Sequence, residues 1–451
     1  MTLKYLLKGI PLIIFTIILT SCIGTRQEDT DLSSDAQIYN ISLSAKGDTT
    51  RALAGTTFTI DQLKKVIFNR DSLPFLFTVD SAKLNIASSS RSSFGKVVIK
   101  LNNPDSSYAW NTRDSIPLPR LKAIETTAAD METTREYLFQ LNTHQQDPYI
   151  LKWTNISKNY LTPLPVHAQK TISLNNRFYT YYRSGASTRG MSSSETDGKN
   201  WIAENVTGLP TDVNFKTLFS VNNGTTDVAY AMTTANVLYR THNGTNWSIV
   251  PTNYPLVAVY GKLPSADGSF GMLTAVNDGG TFKFAKTVDF STLTLMDNVP
   301  EGLPITDFSH ISIENPEVYA AKYIVISGGK NMHGAFNNQI WLLQENRNEI
   351  KDIVIPNQSV ISLQNGSIFW YDTNLYLLNA QNINTLYFSE NYGLTWTKAA
   401  ENQALPSDFV HRENPSVITD ENNFIWIFGG TSGAQEVVDA WRGRLNKLAV
   451  N

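Results

Sequence analysis

Apolar and polar residues alternate in short runs through most of the chain, and that two-residue period predicts strands with one buried face. Ile38 to Leu43, Lys96 to Leu101 and Arg135 to Leu141 show it in the first third. Asp61 to Phe68 breaks the alternation and predicts one helical turn, with Thr59 or Asp61 near its cap. From Trp153 onward the runs recur with a fixed step. Tyr387-Phe388 and Thr395-Trp396 flank the turn Ser389-Glu390-Asn391-Tyr392-Gly393, where Ser and Asn side chains can bond nearby amides. Ser194 to Trp201 and Arg240 to Trp247 repeat this turn; 247−201 = 46, and 396−247 = 149 is about three steps of 50. Phe282 to Thr287, with a degraded turn before Leu293-Thr294-Leu295, fills one missing step. A second signature fills the other: Tyr323 to Gly329 followed by Ile340-Trp341, repeated as Phe424 to Gly430 followed by Ala440-Trp441. The two copies are in phase, since 429−328 = 101 and 441−341 = 100, and their lead-ins Glu314-Asn315-Pro316 and Glu413-Asn414-Pro415 lie 413−314 = 99 apart.

The string Ser-x-Asn-x-Gly-x-Thr-Trp at Ser389, Gly393 and Trp396 resembles the Asp-box, or BNR repeat, with Asn391 where Asp is usual. Ser194, Gly198 and Trp201 match it, as do Gly244 and Trp247. The units Gly328-Gly329 with Trp341 and Gly429-Gly430 with Trp441 resemble the kelch repeat. Both motifs mark β-propeller blades, and the resemblance implies six, starting near residues 165, 213, 256, 306, 358 and 408. Leu-Pro connectors at Leu209, Leu303 and Leu405 fall between them. The sixth unit is short, because only Lys447 to Asn451 follow its third strand. Trp153-Thr154-Asn155-Ile156 lies 201−153 = 48 residues before the first marker tryptophan, so it is expected to pair with the sixth blade and close the ring. Residues 36–148 suit an immunoglobulin-like sandwich. The expected fold class is all-β: an N-terminal Ig-like β-sandwich at 36–148, then a six-bladed Asp-box/kelch-like β-propeller at 149–451.

The first 22 residues change the picture. Lys4 and Lys8 precede an apolar run from Ile10 to Leu19, and Leu19-Thr20-Ser21-Cys22 resembles a bacterial lipobox. A membrane-spanning helix needs roughly 20 apolar residues, more than this run supplies, and Pro11 interrupts it. Residues 1–22 are therefore expected to be a lipoprotein signal peptide, Cys22 the lipid attachment site, and 23–35 a flexible tether. Ile23, where an inner-membrane retention signal carries Asp, points to the outer membrane. Cys22 is the one cysteine, so no disulfide can form within the chain. The net charge of −3 and the lack of a Lys/Arg cluster argue against nucleic acid.

A sialidase needs an Arg-Ile-Pro strand start and three arginines gripping a carboxylate; the nearest string here is Pro119-Arg120-Leu121, in the first domain. The six histidines, at 144, 167, 242, 310, 333 and 411, show no metal-ligand spacing, so no metal and no cofactor is expected. Asp420 to Asn423 reads as a turn, with a calcium loop the other reading. Propeller ligands meet the face built by the loops leading into the innermost strands. His310, Glu314, His411 and Glu413 fall in two such lead-ins and are the candidate ligand face; Glu-Asn-Pro as a plain turn is the other reading. The pairs Trp370-Tyr371 and Tyr181-Tyr182 could stack on sugars or fill the space between blades. Ser72, Ser81 and Ser115 sit in Asp-Ser-apolar triplets that resemble periplasmic O-glycosylation acceptors.

Together these features resemble the envelope lipoproteins of glycan-foraging Gram-negative bacteria. The resemblance implies a lipid-anchored protein whose propeller binds a glycan or an envelope-protein partner without catalysis. The alternative is a glycan-active hydrolase or lyase in the channel, which an arginine-and-carboxylate cluster at the channel mouth would favour.

Overall fold

The computed structural model describes residues 32–89, 93–161, 166–265, 268–314, 322–346, 349–357, 361–380 and 384–449. Cys22, the residues before it, most of the 23–35 tether, Asn315, Pro316 and the unit starts near 165 and 358 lie outside them. The chain divides into two compact units between Asp147 and Pro148.

The first unit is built of two sheets. Asn40–Ser44, Ala82–Ala87 and Ser115–Ile116 form one; Phe58–Asp61, Val66–Asn69, Thr134–Gln140, Leu121–Thr127, Lys96–Leu101 and Ser106–Ala109, in that spatial order, form the other. Alternation does what it should: Ile41 and Leu43 turn inward from the smaller sheet to meet Ile67, Ile99, Ile124 and Tyr137 of the larger. An immunoglobulin constant domain splits its strands four and three; here the split is three and six, and Val66–Asn69 runs parallel to Thr134–Gln140. The helical turn expected at Asp61 to Phe68 is absent. Phe58–Asp61 and Val66–Asn69 are an antiparallel hairpin. Oδ1 of Asp61 accepts from the amides of Leu63 and Lys64, and Lys65 takes φ +54°, so the aspartate closes a tight turn instead of capping a helix.

The second unit contains six four-stranded sheets among the described residues. Five are antiparallel with strands in chain order, and their first strands are Ala168–Leu174, Val213–Asn222, Leu256–Lys262, Thr306–Glu314 and Ser367–Tyr371. The sixth starts at Ser416–Thr419, and its outer strand comes from far earlier in the chain. Leu151–Ser157 pairs antiparallel with Ala440–Leu445, placing Trp153 opposite Gly443 and Asn155 opposite Trp441. A side chain at Gly443 would run into the indole of Trp153, which explains the glycine. Each first strand packs beside the next, and Ser416–Thr419 packs beside Ala168–Leu174.

An apolar layer fills each interface between successive sheets. Phe178, Tyr182 and Met191 of the first sheet share one with Trp426, Phe428 and Ala440 of the sixth. The turn glycines belong to these layers: Gly198 lies against Trp426, Gly244 against Tyr179 and Gly393 against Ile340, each on the preceding sheet. Any side chain there would hold two sheets apart. Trp247, Trp341, Trp396 and Trp441 are buried beside them. At the Ser389 turn the expected side-chain bonds form: Oγ of Ser389 accepts from the Gly393 amide at 2.8 Å, and Oδ1 of Asn391 accepts from the Thr395 amide at 2.9 Å. At Ser194 it is the backbone carbonyl that accepts the Gly198 amide, at 2.9 Å, while Trp201 Nε1 donates to the Gly198 carbonyl.

Candidate functional site

The loops leading into the first strands converge on a cavity of about 540 Å3, whose wall includes Lys170, Arg183, Lys216, Asp307, Glu413 and Glu436. It shares Lys170, Lys216, Phe308, Ser309 and Ser367 with a second cavity of about 430 Å3 that runs deeper between the first strands, so the two form one channel with a mouth. Three residues that are not glycine adopt left-handed backbone in the lead-ins: Asp307 at φ +58°, Asn365 at +56° and Asn414 at +48°. That conformation is uncommon outside glycine, and Asp and Asn tolerate it best. The Asn414 amide donates to the Asn365 carbonyl at 2.8 Å, and Nδ2 of Asn365 donates to Oε2 of Glu413 at 2.9 Å, stitching two lead-ins together.

Charges of both signs line the mouth. Asp307 sits between Lys216 at 3.0 Å and Lys330 at 3.8 Å. Lys170 is half-buried in the wall; burial first, and the neighbouring Lys216 second, push its ammonium down to about 8. Arg183 donates from Nη2 to the Val213 carbonyl at 3.2 Å. Beside Lys170, burial holds the Glu436 carboxyl above its usual value, against a hydrogen bond from Nε2 of Gln169 at 2.9 Å. Deeper in the channel, burial and Lys170 push His310 down to about 4, so its imidazole is neutral at pH 7.

The four residues of the expected ligand face do not come together. His310 lies midway along Thr306–Glu314, in the deeper cavity, packed edge-on to Phe219 and Phe308. Glu314 is at the far end of that strand, paired with Lys262 at 3.1 Å. Glu413 is at the mouth. The two Glu-Asn-Pro strings are thus not equivalent: Ser309 pairs with Ser327 where Ser416 pairs with Phe428, so Glu413 precedes its strand and Glu314 ends one. His411 is half-buried, with Nδ1 sealed and unpartnered among the described residues. The aromatic pairs are taken by packing, since Tyr181, Tyr182 and Tyr371 are buried and Trp370 stacks on Tyr392. The Asp420 carboxylate accepts from the amides of Asn422 and Phe424 and from Trp426 Nε1, so it is spent on its own turn.

The double glycines lie at the mouth. Gly430 lines the cavity and presses on the Glu413 carbonyl; Gly329 presses on that of Thr306. The Asp-box residues Ser194, Gly198, Ser389 and Gly393 belong to third-to-fourth-strand turns and are absent from the channel lining. Sequence reasoning missed Lys170, Arg183, Lys216, Asp307 and Glu436. One signal was available: 216−170 = 46, the repeat step, which places both lysines near the start of an innermost strand. In the first unit Ser81 and Ser115 are exposed and Ser72 is half-buried; the backbone pairs Ser115 with Lys83, setting two triplets side by side.

Sheets packed around a channel with a hydrophilic mouth, on a chain that also carries a separate all-β unit, define a β-propeller protein with an N-terminal domain. Residues 147–451 match the DUF6242 beta propeller domain and residues 29–141 the DUF6242 N-terminal domain, described as a domain of unknown function. The chain belongs to this family. Among solved structures it is similar to YjhT, at 12% identity over 63% of this chain and 96% of that one, with a TM-score of 0.43. It is also similar to YCF48 from Cyanidioschyzon merolae, at 12% identity over 78% and 96%, TM-score 0.33. A streptogramin B lyase matches at 11% identity over 67% and 100%, TM-score 0.35. No curated protein matches the chain in sequence.

Proposed function

We propose that the protein is a lipid-anchored binding protein of the cell envelope, in which a six-bladed propeller, closed by Leu151–Ser157, recognises a glycan at its channel mouth. One observation carries this reading: the mouth is a cavity of about 540 Å3 in which donors and acceptors from several sheets converge. That volume falls in the range of small-molecule sites. An Ig-like N-terminal domain would hold the propeller off the membrane, with Ser81 and Ser115 as exposed glycosylation acceptors. The other partner class is an envelope protein. A glycan array and an envelope pull-down with residues 36–451 test the reading. Retention of a defined oligosaccharide is the expected result, and clean negatives on both would sink it. Arg183 shares the mouth with Glu413 and Glu436, the composition that the hydrolase or lyase reading requires. Every array hit is therefore incubated with the protein; cleavage would move the assignment to an enzyme.

The anchor has its own test. Cys22→Ser is expected to shift the protein from the outer-membrane fraction of the pellet to the soluble fraction of lysed cells. Retention in the pellet would overturn lipidation at Cys22.

A further inference from the structure

The cationic side of the mouth has bonding capacity that the protein leaves unused. Among the described residues, Nζ of Lys170 has neither a hydrogen-bond nor an ion-pair partner. Arg183 lines the same cavity, with Nη2 bonded to the Val213 carbonyl and Nη1 without a hydrogen-bond partner among the described residues. An ammonium and a guanidinium nitrogen left unbonded on a cavity wall are open to a carboxylate brought by a ligand. The two are close by construction: Arg183 pairs across the strand ladder with Ala168, two residues from Lys170. Lys216 completes the arc from the adjoining sheet, and it is only partly engaged, through its contact with Asp307 at 3.0 Å. All three line one cavity together with the carboxylates of Glu413 and Glu436 and the amide of Asn365, and Glu436 stands beside them, held by Gln169 at 2.9 Å.

We propose that Lys170, Arg183 and Lys216 form a carboxylate-binding subsite, and that the ligand of the mouth is an acidic glycan bearing uronic-acid residues. The proposal rests on the glycan reading of the mouth and deepens it. Guanidinium and ammonium groups together are natural partners for a carboxylate. The carboxylates of the same cavity ask for the opposite chemistry, because Glu413 and Glu436 each accept a bond from a neighbouring amide and, as carboxylates, have capacity for more. Sugar hydroxyls supply those donors. A neutral glycan would meet the carboxylates and leave Lys170 and Arg183 unpaired, while an acidic peptide would meet the cations and bring few O–H donors to Glu413 and Glu436. An acidic sugar satisfies both kinds of group at once.

A carboxylate needs Lys170 as its ammonium. With the free amine titrating at about 8, binding is fully available below that pH and weakens as pH rises through it. Since a bound carboxylate favours the charged form, complex formation at pH 8.5 takes up a proton. Calorimetric titration of the full chain with trigalacturonate, a hyaluronan tetrasaccharide and neutral maltotriose at low salt tests this. An acidic oligomer is expected to bind at least about tenfold more tightly than maltotriose, and Lys170→Met to lose about tenfold. At pH 8.5 the enthalpy of the unsubstituted protein should vary with the ionisation enthalpy of the buffer, reporting proton uptake that Lys170→Met abolishes and Lys170→Arg lacks while keeping affinity. Arg183→Gln serves as the second variant if Lys170→Met does not fold. Equal affinity for neutral and acidic oligomers, unchanged in these variants, overturns the subsite and leaves the mouth a glycan site. Binding of none of the three overturns the subsite and counts against the glycan reading. Preference for polyglutamate over both sugar classes overturns the acidic-glycan assignment in favour of a protein partner.

Discussion

Deleting residues 150–158 from the full chain is expected to give aggregated protein in place of a folded propeller. Leu151–Ser157 is the outer strand of the sixth sheet, and without it Ala440–Leu445 presents an unpaired edge. The loss is also one of burial. Leu151 is buried in the layer between the fifth and sixth sheets, and Trp153 packs against the same layer. Burying a large apolar side chain contributes about 1.5–3 kcal/mol, so two such residues account for much of a typical total stability of about 5–15 kcal/mol. Size-exclusion chromatography and a thermal melt decide the matter. A monodisperse monomer that melts where the full chain does would show that the ring does not depend on this strand.

The position of that strand was legible because a period of about 50 is a strong signal. Trp153 stood in phase with Trp201 and Trp247 with no unit in front of it, and the last unit lacked a fourth strand. Turn glycines and marker tryptophans were legible for the same reason: repeated geometry demands the same small residue beside the same large one. The site was not, and the reason is physical. The charged residues of the mouth come from four different sheets, one or two apiece, so they are scattered from Lys170 to Glu436 and form no local motif. Phase alone also misled. The two Glu-Asn-Pro strings lie one double step apart, yet Thr306–Glu314 has nine residues where Ser416–Thr419 has four, and the extra length carries Glu314 to the opposite end of its strand. In the first unit, a two-residue period separated strands from loops but could not say which strands share a sheet. Asp61 illustrates the local limit, since the same side chain that caps a helix also closes a tight turn.

Arg412→Met is expected to destabilise the protein by about 3–5 kcal/mol, the cost of stranding one half of a buried ion pair. Arg412 is fully buried and grips the Asp439 carboxylate with both terminal nitrogens, Nη2 to Oδ2 at 3.0 Å. Its Nε donates to the Val410 carbonyl at 2.9 Å, and its guanidinium lies 4.1 Å from the Phe409 ring centroid. Asp439 also accepts from Trp441 Nε1 at 3.0 Å, tying the pair to the marker tryptophan of the sixth sheet. Methionine fills the volume but leaves a carboxylate in a cavity with one neutral donor. Asp439→Asn is the milder change, because an amide oxygen can still accept from Trp441 while the guanidinium loses its counter-charge. The double variant Arg412→Met, Asp439→Leu removes both charges and should recover part of the loss, but not all, since the Val410 and Gly429 carbonyls lose their donor. Urea unfolding of the four proteins gives these differences directly, and a cost below about 1 kcal/mol for Arg412→Met would remove the pair from any structural role. The consequence extends to the mouth. Arg412 adjoins Glu413, its backbone is held by Asn384 at 2.7 and 2.8 Å, and it joins the lead-in of the sixth sheet to the hairpin that carries Gly430 and Glu436. Loosening it frees Glu413 and, through the bond from Gln169 to Glu436 at 2.9 Å, slackens the end of the first sheet that carries Lys170. Arg412→Met should therefore weaken neutral and acidic oligosaccharides alike, whereas Lys170→Met weakens only the acidic ones, and the two patterns together separate the scaffold of the mouth from its charge.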